Sequence, residues 1–370
     1  MYNKGGNQMN NMIIGVGGCA SNIIKLAAES KLLNDVDMYA IDSVLSSISV
    51  DMMNRVTVIP IISDEKGGSG RNRDRGKAMY EFHEEQGAFR EMYQHAIDSK
   101  APVLVITSAA GGTGSGSTVP LCKALIERDI QVIPIIVCPN KDDPAAFHLN
   151  TNDLFIELGE VGVETYATFE NRKNDANYGP INQEIVNLIE IIFGKKYDKT
   201  DLDSIDDSDL DVILSTPGRF MAISAEANSI QALQKEITRK VFSGFQPAWS
   251  QEDSKQNTIM TAYSLTSMFA NTDFKTVFEE INGRLTNVYD EYRNIVNKDN
   301  DGISSASIIV AGLSRPTIKE INGEYKEANG IGTEIKKSVR PGFIHKKKAS
   351  VDKSQTSDSS NNKINKFRWK

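Results

Sequence analysis

The sequence predicts a doubly wound α/β fold with a mostly parallel sheet, joined to a smaller α+β unit. Three observations carry this. Apolar runs of strand character alternate with helix-patterned runs from Met12 to Cys138, the order that builds βαβ units. Glycine clusters at Gly15 and Gly111 follow the carboxyl ends of two of these runs, where ligands bind in such sheets. Beyond Arg219 the pattern thins to a few strands with two helices.

Each element rests on its own pattern. Met12 to Val16 is a short apolar run closed by glycine, so it reads as a buried strand. Asn22 to Leu33 follows as a helix, then Met38 to Ile41 and Val56 to Ile62 as strands. Gly76 to Asp98 reads as one long helix, Pro102 to Thr107 as a buried strand and Ser117 to Arg128 as a helix. Gln131 to Cys138 and Val161 to Phe169 are strand-like, and Ile181 to Phe193 is a strongly apolar helix. An acidic linker, Lys199 to Asp211, leads to the second unit near Arg219. There Phe220 to Ser224, Thr258 to Leu265 and Ser307 to Ala311 are strands, and Ser229 to Val241 and Asp273 to Val296 are helices. From about Ile331 the pattern fades. Residues 341 to 370 are rich in Lys, Ser, Asn and Asp, a composition that reads as disordered.

Composition narrows the function. With 39% hydrophobic residues in 370 the chain can bury real cores. No apolar run approaches a membrane span, and the polar start lacks a signal-peptide core. Cys19, Cys122 and Cys138 show no metal or disulfide spacing and fit a reducing cytoplasm. His83, His95, His148 and His345 are not at ligand spacing. From Lys346 onward eight Lys/Arg face Asp352 and Asp358, so the tail carries +6 and the body −13 of the chain's −7. An acidic body with a basic tail gives the tail its own partner.

The chemistry lies in the glycine loops. Ala110-Gly111-Gly112-Thr113-Gly114-Ser115-Gly116 stands between a strand and a helix, with four glycines where a plain turn needs one or two. Glycine lets backbone N–H groups approach an anion, and the helix N-terminus adds its dipole. A phosphate-binding loop is the reading. The first loop, Gly15-Val16-Gly17-Gly18-Cys19-Ala20-Ser21-Asn22, also fits the weak dinucleotide fingerprint, with Asp42 as the ribose-binding acid. A nicotinamide-dependent enzyme is therefore a competitor, although that fingerprint gives the second loop no role. A third loop, Lys66 to Lys77, misses the P-loop spacing and is either a solvated loop or a basic lid over a terminal phosphate.

These loops resemble the tubulin and FtsZ superfamily of polymerising GTPases. Its signature, [Ser/Ala/Gly]-Gly-Gly-Thr-Gly-[Ser/Ala]-Gly, is met at every position from Ala110 to Gly116. Gly15 to Asn22 is similar to its first phosphate loop, except that Cys19 and Ala20 replace glycines, and Asp42 is similar to the polar residue ending its second strand. The resemblance implies a Rossmann-like GTPase domain over 12–180, a central helix and linker over 181–203, a catalytic-loop and C-terminal α+β domain over 204–330, and a basic tail over 331–370. It further implies that Asn171, Tyr178 and Asn182 read guanine, by aromatic stacking and amide pairing. Ser204 to Leu210 is similar to the family's catalytic loop, with Ser204 in place of Asn. By that likeness Asp206 and Asp209 position the attacking water at the nucleotide of the next subunit. The implied ligands are GTP or GDP with Mg²⁺, and the implied partner is another copy, head to tail. The lysine-rich tail and divergent loops look more like the plasmid and phage branch, the TubZ proteins, than like an FtsZ-type division protein, which is the alternative. On that likeness residues 346–370 dock a DNA-bound adaptor, with the bland reading a solubilising tail. Direct DNA binding is disfavoured by the acidic body.

Overall fold

The computed structural model describes residues 11–44, 54–62, 68–140, 143–171, 177–193, 207–246, 256–257, 260–266, 285–286, 290–296 and 304–313. Asp206, Lys66 and Gly67 of the third loop, most of the acidic linker and the tail from 331 lie outside them.

β1 (Met12–Val16) is buried along its length, as expected for the middle of a sheet covered on both faces. Met12, Ile14 and Val16 enter one core and Ile13 the other, following the two-residue period of a strand. α1 (Gly18–Glu29) buries Ala20, Ile23, Ile24 and Ala27 at helical spacing. A 3₁₀ turn at Lys31–Leu33 leads to β2 (Asp37–Asp42) and β3 (Val56–Pro60). The single long helix expected over Gly76 to Asp98 is two, α2 (Arg73–Glu85) and α3 (Arg90–Ser99). Gly87 separates them with φ 79°, a left-handed value that ends a helix readily.

β4 (Val103–Ser108) leads into α4 (Thr113–Ile126), which starts four residues before the expected Ser117, inside the glycine loop. β5 (Val132–Cys138) is followed by α5 (Ala145–Glu160), a helix the sequence reading lacks, and then by β6 (Thr165–Glu170). α6 (Gly179–Phe193) buries Ile181, Ile185, Leu188, Ile189 and Ile192. α7 (Asp207–Ser215) replaces the end of the predicted linker. β7 (Gly218–Ala227), α8 (Ile230–Ser243), the two-residue β8 (Gln256–Asn257) and β9 (Met260–Thr266) follow. β10 (Leu285–Thr286), β11 (Asp290–Val296) and β12 (Ser304–Leu313) complete the described elements. The helix expected up to Val296 is thus a strand at its end. Tyr, Ile and Val favour strands, and β9 offers β11 a seven-residue parallel register.

Among the described residues ten strands form one sheet in the order β11-β9-β12-β7-β6-β5-β4-β1-β2-β3. It is parallel from β3 to β7, β12 runs antiparallel to both β7 and β9, and β11 is parallel to β9. α1 and α6 share the core on one face, and α2 to α5 share the core on the other. α8 packs on β7 and β12 over a third core that includes Leu233, Ile237 and Ile308.

One junction departs from a regular ladder. β6 and β7 pair only from Thr165–Gly218 to Ala167–Phe220. Beyond that point Glu170 N–H donates to the Phe245 carbonyl at 2.8 Å. The Gln246 side chain grips Ala222 twice: its Oε1 accepts from Ala222 N at 3.2 Å and its Nε2 donates to Ala222 O at 2.7 Å. The segment just after α8 thereby takes the place of the missing ladder bonds.

Candidate functional site

The strand order β3-β2-β1-β4-β5-β6 changes direction between β1 and β4. Ligands of open parallel sheets bind in the crevice at such a point, outside the strand carboxyl ends. Gly17 turns the chain out of β1 with φ 83° and ψ 168°, and its N–H donates to the Ile41 carbonyl at 2.8 Å. A Cβ on Gly17 would lie 2.9 Å from the Gly114 nitrogen, so the two loops touch through their backbones. α1 and α4 therefore begin side by side in the crevice. Among the described residues neither N-terminus is closed by a side-chain cap bond. Two uncapped helix starts leave several N–H donors and two dipole ends for one anionic ligand.

The glycines do not share one task. Gly18 and Gly111 face open space: added Cβ atoms would first meet Asp42 Oδ2 at 3.7 Å and Ser108 O at 3.9 Å. Gly116 and Gly76 instead let α4 and α2 cross in contact. A Cβ on Gly116 would overlap the Arg73 carbonyl oxygen, and one on Gly76 would overlap the Gly112 carbonyl. The reading that four glycines serve a phosphate is corrected on this point.

A hydroxyl chain joins three loops. Ser43 Oγ lies 2.8 Å from Thr113 Oγ1, which donates to Ser69 Oγ at 2.9 Å. Asp42, buried at the end of β2, accepts from Ser21 Oγ at 3.2 Å and from the N–H groups of Ser43 and Val44 at 2.7 and 3.3 Å. These bonds make Asp42 a brace between the first loop and the turn after β2 and weigh against the ribose-binding role of the dinucleotide alternative. Ser115 Oγ turns back to the Gly111 carbonyl. Cys19 stands in the first turn of α1, its side chain packed against the core, and burial pushes its thiol up to about 11.

The third loop is built into this network. Asn72 caps α2 by accepting from Arg75 N. Arg73, only 4% exposed, donates to both Glu157 carboxylate oxygens at 3.1 and 2.9 Å and to the Ser115 carbonyl at 3.3 Å. Its guanidinium is thus spent on α5 and α4, and the basic-lid reading does not hold for it.

The remaining predicted residues divide between the two edges of the sheet. Asn22 is exposed on the second turn of α1. Asn171 directly follows β6, with its N–H on the Cys138 carbonyl at 2.9 Å. Tyr178, 42% exposed, precedes α6, and its carbonyl accepts from Asn182 N at 3.1 Å. All four lie with Gly15, Gly17, Gly18, Asp42 and Ala110 to Gly116 toward the carboxyl edge. Asp209 does not. It sits in the first turn of α7, whose far end is tied to the amino edge. Gln131, just before β5, donates to the Leu214 carbonyl at 3.1 Å, and Thr165, the first residue of β6, donates to the Thr216 carbonyl at 2.9 Å. The seven residues of β5 span about 23 Å, and the five residues from Leu214 to Asp209 return only about 8 Å of helix. Asp209 cannot reach the glycine loops of its own chain.

The fold has solved counterparts. CetZ2 from Haloferax volcanii, a GTPγS-bound protofilament, matches with a TM-score of 0.66 at 15% identity over 87% of this chain and 98% of its own. TubZ from Bacillus thuringiensis serovar israelensis, in a GTPγS-form protofilament, matches with a TM-score of 0.66 at 18% identity over 88% of this chain and 93% of its own. FtsZ from M. jannaschii matches with a TM-score of 0.61 at 14% identity over 82% and 88%. The chain has the tubulin/FtsZ fold. No protein-family model matches the sequence, and no curated protein matches it. Within this fold the sequence reading missed Ser21, Ser43, Ser69, Arg73 and Asn150. Ser and Asn beside glycine are too common in loops to be singled out, and Arg73 became legible only with α5 in place.

Proposed function

We propose that the chain binds a guanine nucleotide in the β1/β4 crevice and hydrolyses GTP to GDP and phosphate when copies stack head to tail. The observation that supports this most is the placement of Asp209 at the edge opposite the glycine loops. An acid that cannot serve its own crevice can serve that of the next copy in a polar stack. Such a contact is heterologous, and repeated without closure it gives an open filament.

The crevice fits the ligand. The open spaces beside Gly18 and Gly111 are where backbone N–H groups can meet phosphate oxygens. Asn171, Tyr178 and Asn182 sit further along the same edge, where amide groups would pair with guanine and a ring would stack on it. Among the described residues no group of three or more His, Cys, Asp or Glu could hold a metal ion. Mg²⁺ would therefore rest on phosphate oxygens and water, offsetting phosphate charge. Hydrolysis of this kind needs a positioned water and stabilised charge rather than a covalent nucleophile. Asp206 and Asp209 of one copy hold that water for its neighbour.

The finer reading is a filament that segregates or positions plasmid or phage DNA in the cytoplasm, with residues 346–370 docking a DNA-bound adaptor. It draws on the TubZ likeness and on the +6 tail. No helix of the described residues is long and apolar enough to cross a membrane.

Assembly followed by light scattering tests the core reading. GTP should drive it and ATP should not, because an amide pair mismatched to adenine typically costs about 1–3 kcal/mol. Asp209→Ala should keep GTP binding and assembly, lose most GTPase activity, and give longer-lived filaments. GTP hydrolysis by this variant at the parental rate refutes the shared site.

A further inference from the structure

We propose that Asn150 is a positioning residue for the phosphate loop, acting from α5 with Arg73 as its second brace. The inference rests on the nucleotide reading above and extends it to residues that never touch the nucleotide.

Asn150 is 6% exposed, and its Nδ2 donates to two carbonyls, Ala110 O at 3.0 Å and Arg71 O at 3.2 Å. Both partners are acceptors, so the amide orientation is fixed by its neighbours. One side chain thus ties the signature loop to the third loop. In a trans peptide the C=O and the following N–H lie in one plane and point in opposite directions. Holding the Ala110 carbonyl toward α5 turns the Gly111 N–H away from α5. Gly111 is also the loop glycine beside open space. The direction of its N–H donor is therefore set from behind by Asn150.

The second carbonyl matters for the same reason. Arg71 is held at φ 64°, a left-handed conformation that a non-glycine residue adopts at a cost. α5 secures it twice, by the Asn150 bond and by Phe147, whose ring lies 4.8 Å beneath the Arg71 guanidinium. Ser69 meets Thr113 on the other side of Arg71, and two turns beyond Asn150 on α5 Glu157 holds Arg73, which also donates to the Ser115 carbonyl. α5 so grips both ends of the 110–116 segment. Its N-terminal half buries His148, Asn150 and Thr151 rather than apolar groups because it faces loop backbone.

Binding of three probes to the full chain tests this: GTP, inorganic tripolyphosphate and guanosine. Asn150→Ala should weaken GTP and tripolyphosphate by about tenfold or more, the loss of one to two hydrogen bonds, and leave guanosine binding unchanged. Asn150→Asp should be worse, since a carboxylate would face two carbonyl oxygens. A uniform loss across all three probes would mean general structural damage and overturn the proposal, as would parental affinity for both phosphate probes. If neither Asn150 variant folds, Glu157→Gln, which loosens the Arg73 brace, is judged by the same split. A parental chain that binds neither GTP nor tripolyphosphate overturns the nucleotide reading and this inference together. A parental chain that binds both, with an indifferent variant, overturns the inference alone.

Discussion

Gly111 and Gly116 stand five residues apart in one loop, yet they answer to different forces. Gly116 is small because α2 crosses it: beyond the Arg73 carbonyl, a Cβ would lie 2.8 Å from Lys77 N and 3.0 Å from Arg73 C. These are backbone atoms and cannot rotate aside, so α2 and α4 would have to separate. Gly116→Ala should lower stability by about 1–3 kcal/mol, the usual cost of overpacking, read as a lower thermal midpoint without nucleotide. Gly111→Ala should leave that midpoint near the parental value, because nothing lies within 3.9 Å of its Cβ. It should instead weaken nucleotide binding by filling the space a phosphate would enter. Equal melting of the two variants, or a Gly111→Ala chain that binds GTP as the parent does, would show that the glycines are not divided in this way.

At the scale of elements, the junction of β6 and β7 sets a second expectation. Gln246→Ala removes both bonds that replace the ladder at Ala222 and leaves a buried carbonyl and N–H exposed to no partner. A cost of about 1–3 kcal/mol follows, measurable as a lower denaturant midpoint, whereas an unchanged midpoint would mean that the strands close on each other. The same scale shows what a sequence can tell. The central strands were legible because burial on both faces demands continuous apolar runs, as in Met12–Val16 and Val103–Ser108. α6 was legible for the same reason. α5 was not, because Asn150-Thr151-Asn152-Asp153 is poor helix-forming sequence and the N-terminal half of its buried face serves polar loop backbone. The start of α4 was misplaced because Thr113, Gly114 and Ser115 look like loop residues, while their helical geometry comes from packing on α2. The glycine loops, Asp42, Asn171, Tyr178 and Asn182 were legible as residues of one edge of the sheet. The division of labour among the glycines was not, since it depends on where α2 lies.

On the scale of the whole molecule, burial of ionisable groups sets an alkaline limit. Cys122 is fully buried, and desolvation pushes its thiol well above the ordinary 9.0. Tyr80 is raised in the same way above 10.0, and Tyr39 is pushed up to about 12, first by burial and then by Asp37 and Glu91. Each group ionises more easily in the unfolded chain, so stability is fully present at neutral pH and is lost as pH rises past 9.0 and then 10.0. The thermal midpoint should be level from neutrality to that point and fall beyond it; a level midpoint through pH 11 would mean that these groups open to solvent in the native state. The opposite placement of the glycine loops and Asp209 has a larger consequence. If each crevice is completed only by the next copy, a lone chain holds GTP without an acid near it. GTPase rate per chain should then be close to zero in dilute solution and climb above a threshold concentration, in step with light scattering. Asp209→Ala should scatter light above the same threshold with little hydrolysis, which separates assembly from chemistry. A rate per chain that stays constant from far below the threshold to far above it would mean that the catalytic acid comes from the carboxyl edge of the same copy, and stacking would then organise the filament without completing the site.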